Sequence, residues 1–444
     1  MEHVLLHTKL GDITGISLEN ADFFRNVPFA HAERFEHPHL IEHWEEEIDA
    51  TVTDISCPQY GTYLDESQKP QPFFFNEFRR GAQFRYAENP LTMNIIRPKN
   101  ARKCPVLVFI HGGGFETGTV GELPYGSSTM YAERGIIMIS LGHRLNVFSL
   151  YRSENYGLYD MAAGIRWIRR HIADFGGDPD MITVMGQSAG AMSIMDLMYS
   201  DLLKGSVKGA VMMSGCGAIP QVLGPLTPEE SSAFWDRVEA GCGVSGREAL
   251  KKVDAEKLWR VWYEASRSPY SFRLMQPGID GTIISDAPEK LFRKKKVLDI
   301  PVIFGVTSQD FMPLFMLEAG YRFANWSRKN YRMPVYGYFF DRVLPGGSFR
   351  SFHSSDLWYM FGNMDRSWRP FEEKDYQLSA QMADYIESFV KTQNPNRAGL
   401  PQWLPICSQN KNLRLFNGES GGMISHRDSF RKIVQVMRSE KGPM

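Results

Sequence analysis

The chain of 444 residues is 43% apolar and 13% aromatic, ample for a large buried core. Its 50 basic and 51 acidic residues nearly cancel and are spread along the sequence, which argues against a nucleic-acid or membrane-surface partner. No run approaches the roughly 18 apolar residues of a membrane span, and five widely spaced cysteines without a C-x-x-C pair point to reduced thiols, not disulfides or a zinc site.

Residues 1–10 lack the basic start, apolar run and small-residue cleavage site of a secretory signal, so a cytoplasmic location is expected. Residues 4–10 and 13–18, joined through Gly11-Asp12, predict a β-hairpin. An apolar connector, Phe24-Arg-Asn-Val-Pro-Phe-Ala30, follows. Residues 61–88 read as a long loop that carries Phe73, Phe74, Phe75, Phe78, Phe84 and Tyr86. Exposed loops do not keep so many aromatics, so this segment is expected to fold over a cleft or onto the core.

Regular alternation then begins. Apolar runs at 91–96, 106–110, 136–141, 182–185, 209–214, 300–306 and 335–340 predict strands, and helical spacing covers 157–175, 191–198 and 379–392. Continuous apolar strands separated by helices predict an α/β fold, with a central mostly parallel sheet covered on both faces. Residues 226–296 are polar and helix-rich, the expected cap or side region of a single domain spanning 1–444. The basic run Arg293-Lys-Lys-Lys296 reads as a solvated helix end.

Ile182-Thr-Val-Met-Gly-Gln-Ser-Ala-Gly-Ala191 carries the chemistry. A buried strand runs into Gly-x-Ser-x-Gly and then into a helix, which forces Ser188 into a strained turn at the carboxyl end of the sheet. The pattern alone is weak, since a tight packing turn gives the same string. Serine also needs a base, and the base a group that orients it. Downstream of Ser188 the histidines are His353 and His426. His353 follows the strand at 335–340 and is favoured; a surface role is its bland alternative. The acid is expected just after a buried strand, where Asp310 follows 300–306. Asp280, Asp286 and Asp356 are its rivals, Asp280-Gly281 reading as a turn and Asp356 standing too close to the histidine in sequence. An oxyanion needs preorganised N–H donors. His111-Gly-Gly-Gly-Phe115, directly after a buried strand, offers Gly113 and Gly114, with Ala189 as a third donor.

These blocks, together with Cys57-Pro-Gln59, Phe175-Gly-Gly-Asp-Pro179 and Phe352-His-Ser-Ser-Asp-Leu357, resemble the type-B carboxylesterase family of the α/β-hydrolase fold, which includes cholinesterases and bacterial para-nitrobenzyl esterases. The resemblance covers nearly the whole chain. It implies a serine carboxylic ester hydrolase with Ser188 as nucleophile, His353 as base, Asp310 as acid and Gly113, Gly114 and Ala189 as oxyanion donors. It implies an acyl-enzyme, a small uncharged ester as substrate, and no metal or organic cofactor.

Departures from the family pattern carry expectations too. Asp310 stands where the family usually has glutamate, so its loop must approach His353 more closely. Gln187 stands where cholinesterases have glutamate, which removes a negative charge from the cleft. Pro90 occupies the place of the cysteine that pairs with the equivalent of Cys57 in secreted members, in keeping with an intracellular setting. The acid-to-histidine interval, 43 residues (353 − 310), is short, which implies that helices walling the gorge of larger members are missing. The aromatics of 73–86 and Phe311-Met-Pro-Leu-Phe-Met316 are candidates for an apolar pocket or for ordinary core. A catalytically silent binding protein and an amide or carbamate hydrolase using the same residues remain the alternatives.

Overall fold

Successive side chains of a strand face opposite ways, and the Cys104–Ile110 strand is apolar on both faces. Val106, Val108 and Ile110 enter one core, and Leu107 and Phe109 enter another on the far side of the sheet. A computed structural model describes residues 2–65, 67, 72–216, 224–267, 271–347, 349–419 and 422–439. Residues 66 and 68–71 of the aromatic segment and 268–270 of the side region therefore lie outside the described residues.

The run Ile137–Leu141, Cys104–Ile110, Gly177–Gln187, Gly209–Met213, Val302–Thr307, Val335–Phe340 and Asn412–Phe416 is parallel throughout. Thr92–Pro98 and the strands of the amino-terminal hairpin extend one edge antiparallel, and Met423–Ser425 closes the other. The mostly parallel sheet of the α/β-hydrolase fold is thus present. Tyr156–His171 and Ala189–Leu197 bury their apolar sides on one face; Leu357–Phe361 and Glu373–Thr392 cover the other.

Chain order matters for the site. After Cys104–Ile110 the chain crosses to Ile137–Leu141 on one side, then returns to Gly177–Gln187 on the other. A reversal of this kind leaves a crevice outside the carboxyl ends of the strands, where α/β folds bind ligands. His111 to Gly114 and Ser188 follow neighbouring strands paired at Ile110 and Gly186, so both loops open into that crevice.

Several boundaries differ from expectation. The helix expected over 157–175 is α-helical only to His171, then tightens to a 3₁₀ turn that Gly176 ends at φ 82°. The helix expected over 379–392 begins earlier, at Glu373, where Glu372 and Asp375 form a reciprocal cap. Pro313–Asn330 is a long helix that the sequence did not announce. Its Gly320 lies against the Phe304 ring, so closely that a Cβ would sit 2.3 Å from it. In the side region, Pro228–Cys242 starts on a Thr227–Glu230 capping box and ends at Gly243, φ 74°. Its Trp235 and the Trp259 and Trp262 of Ala255–Ser266 join the same core cluster as the sheet.

Candidate active site

Ser188 adopts φ 54° and ψ −124°, a conformation that costs on the order of 1–3 kcal/mol and persists only where neighbours over-determine it. The neighbours are identifiable. Ser188 N–H donates to the Met213 carbonyl at 2.8 Å, and a Cβ on Gly190 would lie 2.1 Å from the Ile110 carbonyl oxygen. A Cβ on Gly186 would lie 2.6 Å from the Gly190 carbonyl carbon. Both glycines flanking the serine are therefore steric requirements of the turn. The helix expected over 191–198 starts earlier, at Ala189, so the Ala189 N–H belongs to the first turn, whose donors lack intrahelical partners.

Ser188 Oγ–H donates to His353 Nε2 across 2.9 Å, and His353 Nδ1–H donates to Asp310 Oδ1. A β-bridge between Gln309 and Phe352 brings base and acid together, with Gln309 N–H on the Ser351 carbonyl at 3.0 Å. The residues next in sequence, Asp310 and His353, then stand side by side, which lets the shorter carboxylate reach the ring. Asp310 is buried, and burial alone would push its carboxyl up. The charge and hydrogen bond of His353, with donation from Ser214 Oγ at 2.6 Å and Thr307 N–H at 3.0 Å, hold it below the usual carboxylate range.

Two pinned peptides shape the glycine loop. His111 Nδ1–H donates to the Gly112 carbonyl at 2.9 Å, and the Gly113 carbonyl accepts from Glu116 N–H and Thr117 N–H at 3.1 and 3.0 Å. In a trans peptide the following N–H points opposite to the carbonyl. Gly113 N–H and Gly114 N–H each point away from the carbonyl that is tied in the same peptide. Gly113 (φ 112°) and Gly114 (φ 66°) hold positive-φ conformations that suit glycine. Burial, with the His143 ring stacked against it further disfavouring a charge, holds His111 well below the usual histidine range, so it stays a neutral donor.

Ser188, His353 and Gly112 to Gly114 line one pocket of about 340 Å³, walled by Phe74, Phe75, Phe78, Met192, Phe311 and Met316. Three of the expected aromatics thus face it from a short helix, Phe73–Phe78, within the segment that reads as loop. Phe84 and Tyr86 line a separate hollow, and Phe315 is solvent-exposed. Gln187 also reaches the pocket, its amide Nε2 standing 3.3 Å from His353 Nε2.

The rivals are held by other partners. Asp280 accepts from Thr282 and Ile284 N–H in a turn, Asp286 pairs with Lys290 and Lys294, and His426 pairs with Glu318. Asp356 accepts from Tyr338 OH at 2.6 Å. The five cysteines are all free, and Cys57 is packed against the Leu145 backbone. Among the described residues no helix is long and apolar enough to cross a membrane. The residues missed by sequence reasoning are His111 as carbonyl anchor and Ser214 as donor to Asp310. His111 was visible within its motif; Ser214, 96 residues from its partner, had no local signal.

A model of the carboxylesterase family matches residues 2–324 and 313–428 of the chain. The para-nitrobenzyl esterase of Bacillus subtilis is 27% identical over 89% of this chain and 91% of its own. Carboxylesterase 4A of Bos taurus is 25% identical over 93% of this chain and 91% of its own. A solved PNB esterase structure superposes with a TM-score of 0.81 at 25% identity, covering 97% of this chain and 99% of that one.

Proposed function

The chain belongs to the carboxylesterase family and is a carboxylic ester hydrolase, and from that premise we propose that Ser188, His353 and Asp310 are its catalytic triad, working through an acyl-enzyme on uncharged carboxylic esters. The observation that carries this reading is the unbroken hydrogen-bond chain from buried Asp310 through His353 to Ser188 Oγ, opening into an apolar pocket. Ser188 Oγ attacks the ester carbonyl carbon while its proton passes to His353 Nε2. The oxyanion is received by the N–H groups of Gly113, Gly114 and Ala189; donors of this kind are each worth about 10²–10³ in kcat. His353 then delivers the proton to the departing alkoxide, and later takes one from the water that attacks the acyl-enzyme. Asp310 orients the ring and stabilises its cation.

An uncharged substrate is supported by the wall of Phe74, Phe75, Phe78, Phe311 and Met316, and by Gln187 in place of a carboxylate beside the serine. The name of the Bacillus relative suggests an ester of an aromatic alcohol as a probe. Five free thiols fit a reducing, cytoplasmic setting. The test is hydrolysis of para-nitrophenyl acetate and a para-nitrobenzyl ester by wild type and Ser188→Ala. Activity is expected to fall by about 10⁶ in the variant. Turnover that survives the substitution would remove Ser188 as nucleophile, and a folded wild type without esterase activity would favour the silent binding protein.

A further inference from the structure

Arg79 caps the carboxyl end of the Phe73–Phe78 helix, its N–H on the Phe75 carbonyl at 2.9 Å, and its side chain is only 9% exposed. Its Nε donates to Glu122 Oε1 at 2.7 Å and its Nη1 to Gln59 Oε1 at 3.0 Å. Gln59 in turn holds both backbone groups of Gly118. Its Oε1 accepts Gly118 N–H at 2.9 Å and its Nε2 donates to the Gly118 carbonyl at 3.0 Å. Ser56 Oγ binds the same carbonyl at 3.0 Å and accepts from Gln59 Nε2 at 2.7 Å.

Gly118 is where this network meets the glycine loop. It has φ 127°, and a Cβ there would lie 2.5 Å from the Gly112 carbonyl oxygen and 2.2 Å from His111 Nδ1. Those two atoms form the hydrogen bond that fixes the Gly112–Gly113 peptide, and with it the direction of Gly113 N–H. The preceding residue, Thr117, holds the Gly113 carbonyl and thereby the direction of Gly114 N–H. A displacement of Gly118 therefore shifts both donor peptides together. At the other end, Arg79 and Phe75 themselves line the pocket, and the helix is fixed from behind by Glu77, buried against Arg369 and Trp358.

We infer that Arg79 is a positioning residue for the oxyanion donors, tying the aromatic wall of the pocket to Gly113 and Gly114 through Gln59 and Gly118. The inference rests on the oxyanion role proposed above for those glycines. A guanidinium suits the post because its rigid fork binds Glu122 and Gln59 at once, where a lysine offers a single flexible point charge.

The experiment compares wild type, Arg79→Met, Arg79→Lys and Arg79→Gln with Arg80→Met, an exposed neighbour, as control. Readouts are kcat and KM for para-nitrophenyl butyrate, inhibition by an aryl trifluoromethyl ketone whose hemiketal bears an oxyanion, and the melting temperature. Misplacing donors by about 1 Å costs on the order of 100-fold. Arg79→Met is expected to lose about 10- to 100-fold in kcat and a matching factor in ketone affinity, with KM within about twofold. Arg79→Lys should recover part of both, and Arg80→Met should match wild type. If Arg79→Met does not fold, Arg79→Gln, which keeps a polar tip, carries the same comparison. Unchanged kcat and ketone affinity, or a loss confined to KM, overturns the inference. Ser188→Ala run in parallel keeps the two readings apart: its inactivity beside a normal Arg79→Met leaves the esterase mechanism standing and removes this one.

Discussion

Ser214 donates its hydroxyl proton to Asp310 Oδ2 across 2.6 Å, from the end of a strand neighbouring the one that leads to Asp310. Ser214 holds φ 50° and sends its N–H to the Gly305 carbonyl, so its hydroxyl is aimed by the backbone. The carboxylate is thus fixed on its far oxygen while its near oxygen serves His353. A hydrogen bond to a buried charge is worth roughly 1.5–3 kcal/mol. Ser214→Ala is expected to lower kcat about tenfold or more with KM nearly constant, because the aspartate loses its fixed orientation and its charge becomes costlier to bury. Asp310→Asn removes the charged acceptor itself, and a loss nearer 10⁴ is expected. Steady-state kinetics on one neutral ester checks both; equal, near-neutral effects would show that another group orients His353.

The parts of the site legible in the sequence are those fixed by local sterics. Gly186 and Gly190 are demanded by the approach of strand and helix around Ser188, and Gly113 and Gly114 by their positive φ. Chain order after a buried strand sufficed to favour Asp310 and His353 over their rivals. What stayed hidden was set by contacts distant in sequence. The Gln309–Phe352 bridge, the Ser214 donation and the Gln59 clamp on Gly118 each join segments about 40 to 100 residues apart. The Phe73–Phe78 helix was hidden because three consecutive phenylalanines show no 3.6-residue period. It is held by Glu77, whose carboxylate is buried against Arg369 and Trp358 from the carboxyl-terminal part of the chain.

Gln187 bears on the pH response of the reaction. With Asp310 accepting from Nδ1, the free lone pair of His353 is on Nε2, where Ser188 Oγ–H and the Gln187 amide, 3.3 Å away, both approach it. When Nε2 takes the serine proton, an amide N–H in that position offers the cation no attraction. A carboxylate there would favour the protonated ring, and opposite charges within about 4–6 Å commonly shift titration by 1–3 units. Gln187→Glu is therefore expected to move the acidic limb of the kcat/KM profile upward by about one pH unit. It should also lower activity on anionic esters relative to neutral ones. An acidic limb superimposable on wild type would mean the new carboxylate does not reach the ring.

Asp356 links the same region to stability. It is fully buried with Oδ2 on Tyr338 OH, and burial pushes its carboxyl from 3.8 up to about 7, with the nearby Asp310 charge adding and the Tyr338 hydrogen bond opposing. Below the ordinary value of 3.8 the group is protonated in both folded and unfolded chains and its contribution is fully present. Between that value and about 7 the unfolded chain ionises while the folded one does not, so stability is lost as pH rises through this window. The difference of about 3 units corresponds to about 4 kcal/mol at most. Asp356→Asn keeps the shape and an acceptor for Tyr338 but cannot ionise, so it should lack this slope. Its stability relative to wild type is expected to rise steadily from about pH 4 to about pH 8, by up to a few kcal/mol. Urea unfolding of both proteins across that range measures the difference directly, and a gap that stays constant with pH would show that Asp356 titrates alike in the folded and unfolded chains.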